Sequence, residues 1–398
     1  MASYRRVSRR QASGYRASKR MSSRQYRRLK RRIQCVIRCT ILLFILIGII
    51  FGIVSGIKSC TSKHKSNRLK DVKAATSGEA ADNSEDNNTV NTGNQEDNNK
   101  LANVVKYPEK AENYTELTSS EILSPYIAVI DVTNNKLVAG RNAEARIYPA
   151  SMTKVMTLIV AVENVKSMDD KFTMTSEIID PLYRDSASRA GFEPGEEVTA
   201  RDLMYGLILP SGADGAVGLA QMIAGSEEAF VELMNKKCEE LGLKNTHFTN
   251  TSGLHNENHY TTPVEMAMIL EYAMNNETCA KILSTYQYTT EVTEKHPEGI
   301  LLTSTMFSRM YGNEVPGVEI KAGKTGYTQE ARHCLVSYAE SDGSKYVAVT
   351  AGAEGKWNVV YDDFKLYGDF CKGAGKETET TGETESQSQT AQSYHMNF

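Results

Sequence analysis

Apolar residues crowd into a few unlike patterns along this chain. The longest is Cys39–Ile57, nineteen consecutive residues without a charge (CTILLFILIGIIFGIVSGI). That is close to the ~20 residues a helix needs to cross a bilayer. Arg31, Arg32 and Arg38 flank its N-terminal side. The positive-inside rule therefore predicts a cytoplasmic N-terminus, with everything after Lys58 outside. A cleavable signal peptide is the competing reading, but its apolar run is usually about 7–15 residues and its charged lead is shorter. The next stretch, residues 58–112, is rich in Asn, Asp, Glu, Ser and Lys (DNSEDNNTVNTGNQEDNN) with few large apolar groups. Such a composition cannot offset its ordering entropy and predicts a disordered stalk. Residues 372–398 have the same character, which leaves one folded unit over residues 113–371.

Inside that unit the pattern changes twice. Tyr126–Ile130 and Leu137–Gly140 predict two strands around a turn at Thr133-Asn134-Asn135. Three more follow near the far end, at Val318–Thr328, Cys334–Ala339 and Lys345–Ala353, with Asp342-Gly343 turning the last two into a hairpin. Trp357–Phe370 reads as a helix, and residues 151–280 are mostly helical in pattern. Short connections within each strand group favour antiparallel pairing. The predicted architecture is α+β: an antiparallel sheet built from both ends of the unit, packed with a mainly helical middle region.

One helix carries candidate chemistry. From Ser151 to Asn164 the residues Val155, Met156, Leu158, Ile159, Val160 and Val162 are apolar almost all round, which predicts a central, buried helix. Ser151 and Lys154 lie three residues apart and so share one face. A lysine at the start of a desolvated helix loses charge stabilisation and can act as a base. A serine at a helix N-terminus has backbone N–H groups aimed at any anion that forms beside it. The bland alternative is a surface Ser and Lys at a helix start, since Ser-x-x-Lys arises by composition alone; Ser62-Lys63-His64-Lys65 is such a match in the polar stretch. Two further motifs follow at domain-scale distances, Ser211-Gly212-Ala213 and Lys324-Thr325-Gly326. Lys324 and Thr325 can bind a carboxylate, and Gly326 would let a substrate backbone lie against the strand edge. An exposed edge-strand lysine that blocks aggregation is the alternative for Lys324.

Charge and cysteines alter this picture little. Residues 1–38 hold 14 Lys or Arg and no acid, while the whole chain is −3, so the remainder carries −17 (32 basic against 49 acidic). Such a basic arm can bind nucleic acid; beside an apolar run it reads as a cytoplasmic tail, and no nucleic acid is expected as a partner. Cys35 and Cys39 flank the run and are candidates for acylation or passive neighbours. Cys238, Cys279, Cys334 and Cys371 show no paired spacing, which leaves their bonding open. His247, His255 and His259 invite a zinc reading, but they lack the His-Glu-x-x-His helix of a metalloprotease. No metal or other cofactor is expected.

Ser-x-x-Lys, Ser-x-Asn and Lys-Thr-Gly are the motif set of penicillin-binding proteins and class A β-lactamases. The chain resembles the D-alanyl-D-alanine carboxypeptidases of the low-molecular-mass penicillin-binding proteins, peptidase family S11, over about residues 120–355. The likeness extends to Tyr148-Pro149-Ala150-Ser151, Phe192-Glu193-Pro194-Gly195-Glu196 and Leu207-Ile208-Leu209-Pro210-Ser211. It continues in Asn245-Thr246-His247-Phe248, Ser252-Gly253-Leu254-His255, His259-Tyr260 and Lys324-Thr325-Gly326-Tyr327-Thr328. The resemblance implies the penicillin-recognising serine hydrolase fold and removal of the terminal D-Ala from peptidoglycan stem peptides ending in D-Ala-D-Ala. It makes Ser151 the nucleophile, Lys154 its base, Ser211 a proton relay, and Lys324 and Thr325 the hold on the substrate carboxylate. Backbone N–H groups of Ser151 and Tyr327 would form the oxyanion hole. β-Lactam antibiotics are implied as covalent inhibitors.

Two departures matter. Position 213 is Ala, followed by Asp214, where the family's middle motif ends in Asn, which usually contacts both substrate and catalytic lysine. Members often carry a C-terminal β domain and an amphipathic membrane helix, whereas a polar tail follows Phe370 here, and the span at 39–57 would take over anchoring. Ala213 motivates a rival reading as a peptidoglycan-binding pseudoenzyme, and Ser151, Lys154 and Lys324 together oppose it. A β-lactamase ranks third, since no carboxylate is evident to hold a deacylating water.

Overall fold

The computed structural model describes residues 105–310 and 315–375. Residues 39–57, predicted as a membrane span, lie outside these, as do the basic lead and most of both polar stretches. Among the described residues no helix is long and apolar enough to cross a membrane.

The chain opens with strands β1 (Glu109–Glu116), β2 (Tyr126–Asp131) and β3 (Lys136–Arg141). A 3₁₀ turn at Ala150–Thr153 leads directly into α1 (Lys154–Asn164). The middle region holds α2 (Ser176–Arg184), α3 (Ala200–Ile208), α4 (Ala213–Ala224), α5 (Glu227–Glu240), α6 (Pro263–Met274) and α7 (Glu277–Leu283). Two short hairpins interrupt it: β4 (Lys171–Thr173) with β5 (Glu197–Thr199), and β6 (Gln287–Thr289) with β7 (Leu301–Thr303). A short helix α8 (Phe307–Met310), strands β8 (Glu319–Thr328), β9 (Arg332–Ser341) and β10 (Ser344–Ala353), and α9 (Asn358–Phe370) complete the fold.

Six strands form one sheet in the order β1-β3-β2-β10-β9-β8, which joins the two ends of the folded unit through β2 and β10. The α+β architecture is as predicted. Both faces of the central strands β2 and β10 are covered, and these strands are therefore largely apolar instead of alternating. Ala128, Ile130, Val347 and Val349 point into the main core with α1 and the middle helices. Their neighbours Ile127 and Val129 pack with Leu366 of α9, and Ala348 with Tyr367. Period-2 side-chain alternation assigns neighbouring residues to opposite layers. Helix α1 runs through the middle of the main core, buried from Lys154 to Ala161.

The predicted stalk ends too late. Val105 is buried, and β1 occupies Glu109–Glu116, so residues 105–112 belong to the folded unit. β1 pairs parallel to β3, the one parallel pair in the six-stranded sheet. Its sequence, EKAENYTE, is polar on both sides because it lies on the sheet edge with little to bury. Backbone pairing holds it, and hydropathy does not report backbone pairing. At the other end the folded unit runs on past residue 371. Lys372 N–H donates to the Tyr346 hydroxyl, Gly373 N–H to Ser341 Oγ and Gly375 N–H to Pro316 O.

Candidate active site

The expected helix from Ser151 begins later than the pattern suggested. Ser151 lies in the 3₁₀ turn, and Lys154 is the first residue of α1. Ala150 holds the left-handed conformation, φ 47°, which a non-glycine residue adopts only when its surroundings impose it. Ser211, the first residue of the second motif, is also left-handed at φ 66°. Strain of this kind concentrates at functional sites. Of the seven described non-glycine residues with positive φ, these two fall in or immediately before a motif.

Lys154 is fully buried, and its Nζ donates to Ser151 Oγ at 3.1 Å and to Ser252 O at 2.6 Å. Burial pushes its ammonium down to about 7, against the pull of Asp214 and Glu227. The amine is thus a base near neutral pH, one hydrogen bond from a half-exposed serine hydroxyl. Lys324 is buried as well, at 1% exposure, which rules out an aggregation-blocking surface lysine. Its Nζ donates to Ser211 Oγ at 2.8 Å and to Thr325 O at 2.9 Å, binding the second and third motifs together. Burial, then the charges of Lys154 and Arg309, hold its pKa well below the usual lysine value.

β8 is the edge strand and lies against the nucleophile turn. Sequence suggested that Gly326 leaves room for a substrate backbone; the structure gives it a nearer reason. A Cβ at 326 would stand 2.9 Å from Pro149 O and 3.1 Å from Ser151 N, so the absent side chain lets β8 reach the turn. Thr325 Oγ1 pairs with Thr305 Oγ1 at 2.9 Å, and Thr305 N–H donates to Leu209 O, tying β8 to the segment before Ser211. Tyr327 is exposed and stacks on His333 at 4.4 Å. Ser151, Lys154, Ser211, Lys324, Thr325, Gly326 and Tyr327 therefore surround one site.

Asp214 takes no part as a substitute for the absent asparagine. It is fully buried, and its carboxylate accepts from the N–H groups of Ala190, Gly191, Phe192 and Gly215. Burial raises its pKa while those four donors favour the ionised form. Its work is to hold the 190–192 segment against α4.

Three further groups bear on the site, none of which the sequence assigns a role in holding it. The turn Asn250–Gly253 supplies the carbonyl that holds Lys154; its Asn-Thr-Ser-Gly string is ordinary turn chemistry, and the likeness over Ser252–His255 carries no indication of this contact. His259 is buried, with a pKa pushed down to about 3 chiefly by desolvation, so it is neutral. Its Nδ1 accepts from Thr249 N–H, which leaves Nε2–H to donate to Thr153 Oγ1 at 2.7 Å inside the first motif. Arg309 in α8 is half-buried, and among the described residues its guanidinium has no acceptor. The other histidines are elsewhere: His247 Nδ1 pairs with Asn258 O, and His255 edges the Tyr148 ring. Among the described residues no group of three or more His, Cys, Asp or Glu side chains could hold a metal ion, and the four described cysteines are free and buried.

Known proteins resemble this chain in sequence and in fold. The chain is 37% identical over 230 residues to D-alanyl-D-alanine carboxypeptidase DacF of Bacillus subtilis, an alignment covering 56% of each chain. It is 33% identical over 215 residues to D-alanyl-D-alanine carboxypeptidase of Streptomyces sp. strain K15, covering 52% of this chain and 73% of that one. The alignment thus spans little more than half the length of the Bacillus relative. Among solved structures, the Streptomyces K15 DD-transpeptidase superposes with a TM-score of 0.58 at 28% identity, covering 63% of this chain and 97% of that one. D-alanyl-D-alanine carboxypeptidase of Mycobacterium tuberculosis H37Rv gives 0.57 at 25% identity, covering 67% and 97%. The sequence model of the peptidase S11 family, D-alanyl-D-alanine carboxypeptidase, matches residues 112–355, and with the three motifs gathered around Ser151 the chain belongs to that family.

Proposed function

We propose that the protein is a serine D-Ala-D-Ala carboxypeptidase acting on peptidoglycan stem peptides through an acyl-enzyme on Ser151. The observation that carries this reading is the neutral-range amine of Lys154, 3.1 Å from Ser151 Oγ in a buried setting. Ser151 Oγ attacks the carbonyl between the two D-alanines as its proton passes to Lys154 Nζ. The oxyanion so formed faces the backbone N–H groups of Ser151 and Tyr327. Collapse breaks the peptide C–N bond, and the departing D-Ala amine takes a proton through Ser211 Oγ. Water then attacks the ester, gives its proton to the base, and releases the shortened peptide. Lys324, Thr325 and the half-buried Arg309 supply the positive, hydrogen-bonding end that receives the free carboxylate. Once an anion sits there, it restores the Lys324 charge that burial disfavours.

A fluorescent penicillin followed by a D-Ala release assay tests this. Labelling with release supports the reading. Labelling without release on any stem peptide would favour the pseudoenzyme, and rapid loss of the label with opened β-lactam a β-lactamase. Removing one preorganised donor at an acyl-transfer site costs about 10²–10³ in rate, so Ala213 predicts slow turnover. Ala213→Asn should raise acylation by about tenfold or more; an unchanged rate with the fold preserved would mean that the site is rebuilt around alanine.

The anchor belongs to the same proposal. The charge-free run Cys39–Ile57 and the basic lead before it support a single span with the N-terminus inside and the enzyme domain facing the cell wall. Residues 58–104 then form the connection to the folded unit. Protease added to intact cells should remove the enzyme domain and spare residues 1–38. A domain cut only after lysis would reverse the orientation.

A further inference from the structure

We propose that Glu227 is a positioning residue for the catalytic amine: from the first turn of α5 it holds the Thr251–Ser252 turn whose carbonyl fixes Lys154. This rests on the reading of Ser151 and Lys154 given above.

The connection is short and continuous. Glu227 Oε1 accepts from Thr251 N–H at 2.9 Å and from Thr251 Oγ1 at 2.6 Å. The next carbonyl along, Ser252 O, accepts from Lys154 Nζ at 2.6 Å, a shorter contact than the one from Nζ to Ser151 Oγ. Thr157, one turn along α1 from Lys154, donates to Thr251 O at 2.7 Å. Asn250 Oδ1 closes the turn from inside by accepting from Gly253 N–H at 2.7 Å. Moving Glu227 therefore moves Ser252 O, and with it the lysine.

A glutamate in the first turn of a helix is ordinarily explained by the macrodipole. That explanation does not suffice here. Ser226 already caps α5 through Ala229 N–H, and the Glu227 side chain reaches out of the helix to another loop. Ala213 adds weight to the brace. Where the family's asparagine would contact the lysine, an apolar side chain stands, and Lys154 relies on Ser252 O and Ser151 Oγ.

Glu227 also acts through charge. The charged and titratable groups around Lys154 are Asp214 on α4, Glu227 on α5, Lys324 on β8 and the neutral His259. Burial lowers the Lys154 pKa, and the two carboxylates oppose it. Asp214 is committed to four backbone N–H groups, so Glu227 is the carboxylate that can be neutralised without dismantling a segment. Glu227→Gln keeps an oxygen for Thr251 and removes the charge. Glu227→Ala removes both.

The test is the pH profile of penicillin acylation for the two variants and wild type, with thermal melts to establish folding. Glu227→Gln should retain the wild-type plateau at high pH and move the midpoint to lower pH by about half a unit or more, the effect of one unit charge at short range in a protein interior. Glu227→Ala should show the same shift and a plateau about tenfold lower, as expected when a reacting group is misplaced. An unmoved midpoint in both folded variants, or a wild-type plateau in Glu227→Ala, overturns the proposal: the first would mean that Glu227 does not act on the Lys154 amine, the second that it does not place it. A ¹⁵N NMR titration of the Lys154 amine reads the same midpoint in protein that does not acylate. A failure of the acyl-enzyme reading thus stays separate from a failure of this one.

Discussion

Ser151→Ala is expected to abolish covalent labelling by penicillin with the fold intact, and Lys154→Met to slow it by about 10²–10⁴, the usual contribution of a positioned general base. Methionine matches the length and apolar surroundings of the lysine stem, so most of the loss will be chemical. Its structural cost is the Ser252 carbonyl left without a donor, about 1–3 kcal/mol. The pH dependence gives the sharper signature. Lys154 is active when neutral, and its pKa is pushed down to about 7. Wild-type acylation should therefore rise through that pH and fall about tenfold for each unit below it. The methionine variant should lose this limb of the profile. Persistent labelling of Ser151→Ala would place the nucleophile elsewhere, and a retained limb in Lys154→Met would make another group the base.

Much of this was legible from pattern and motif. The strands β2, β3, β9 and β10 show as apolar stretches between turn residues and β8 as an alternating one, and each expected strand lies within two residues of its observed limits. The burial of Lys154 could be read from the apolar residues all round its helix. β1 was illegible because an edge strand held by backbone pairing carries no hydropathy signal, and its eight residues look like the polar stretch before them. The 3₁₀ turn at Ala150–Thr153 was read as helix because local periodicity over four residues does not separate the two. Long-range partners were the hardest to see. That Ser252 O would receive the Lys154 proton donor, 98 residues away, depends on how α5 and the 250–253 turn pack on α1. Asp214 beside Ala213 is a poor stand-in for the missing amide, since a carboxylate accepts but cannot donate, and its four backbone partners depend on packing that no local pattern reveals.

The contact between that turn and the nucleophile leads to the second large effect, at Gly253. This residue has φ 84°, and a Cβ placed on it would overlap Ala150 O and lie 3.0 Å from Ser151 N. The Ala150 side has no room to yield. Ala150 is itself held left-handed, and its Cβ already faces Gly326 of β8 on the other side, 3.1 Å from where a Cβ there would stand. Gly253→Ala must therefore pay for a left-handed alanine and also push the turn off the Ser151 segment. We expect a loss of about 3 kcal/mol or more, within the range of backbone and overpacking substitutions. For a folded unit of this size that corresponds to a fall in Tm of about 6–12 °C. The relief available is a shift of the 250–253 turn, which carries Ser252 O and hence Lys154 away from Ser151 Oγ. A displacement of about 1 Å at a reacting group costs on the order of 10²-fold in rate. Penicillin acylation should therefore fall by about that factor at temperatures where the variant is still folded. Calorimetry and stopped-flow labelling on the same sample check the two halves. A variant with wild-type Tm and wild-type acylation would show that the turn does not press on the nucleophile in solution.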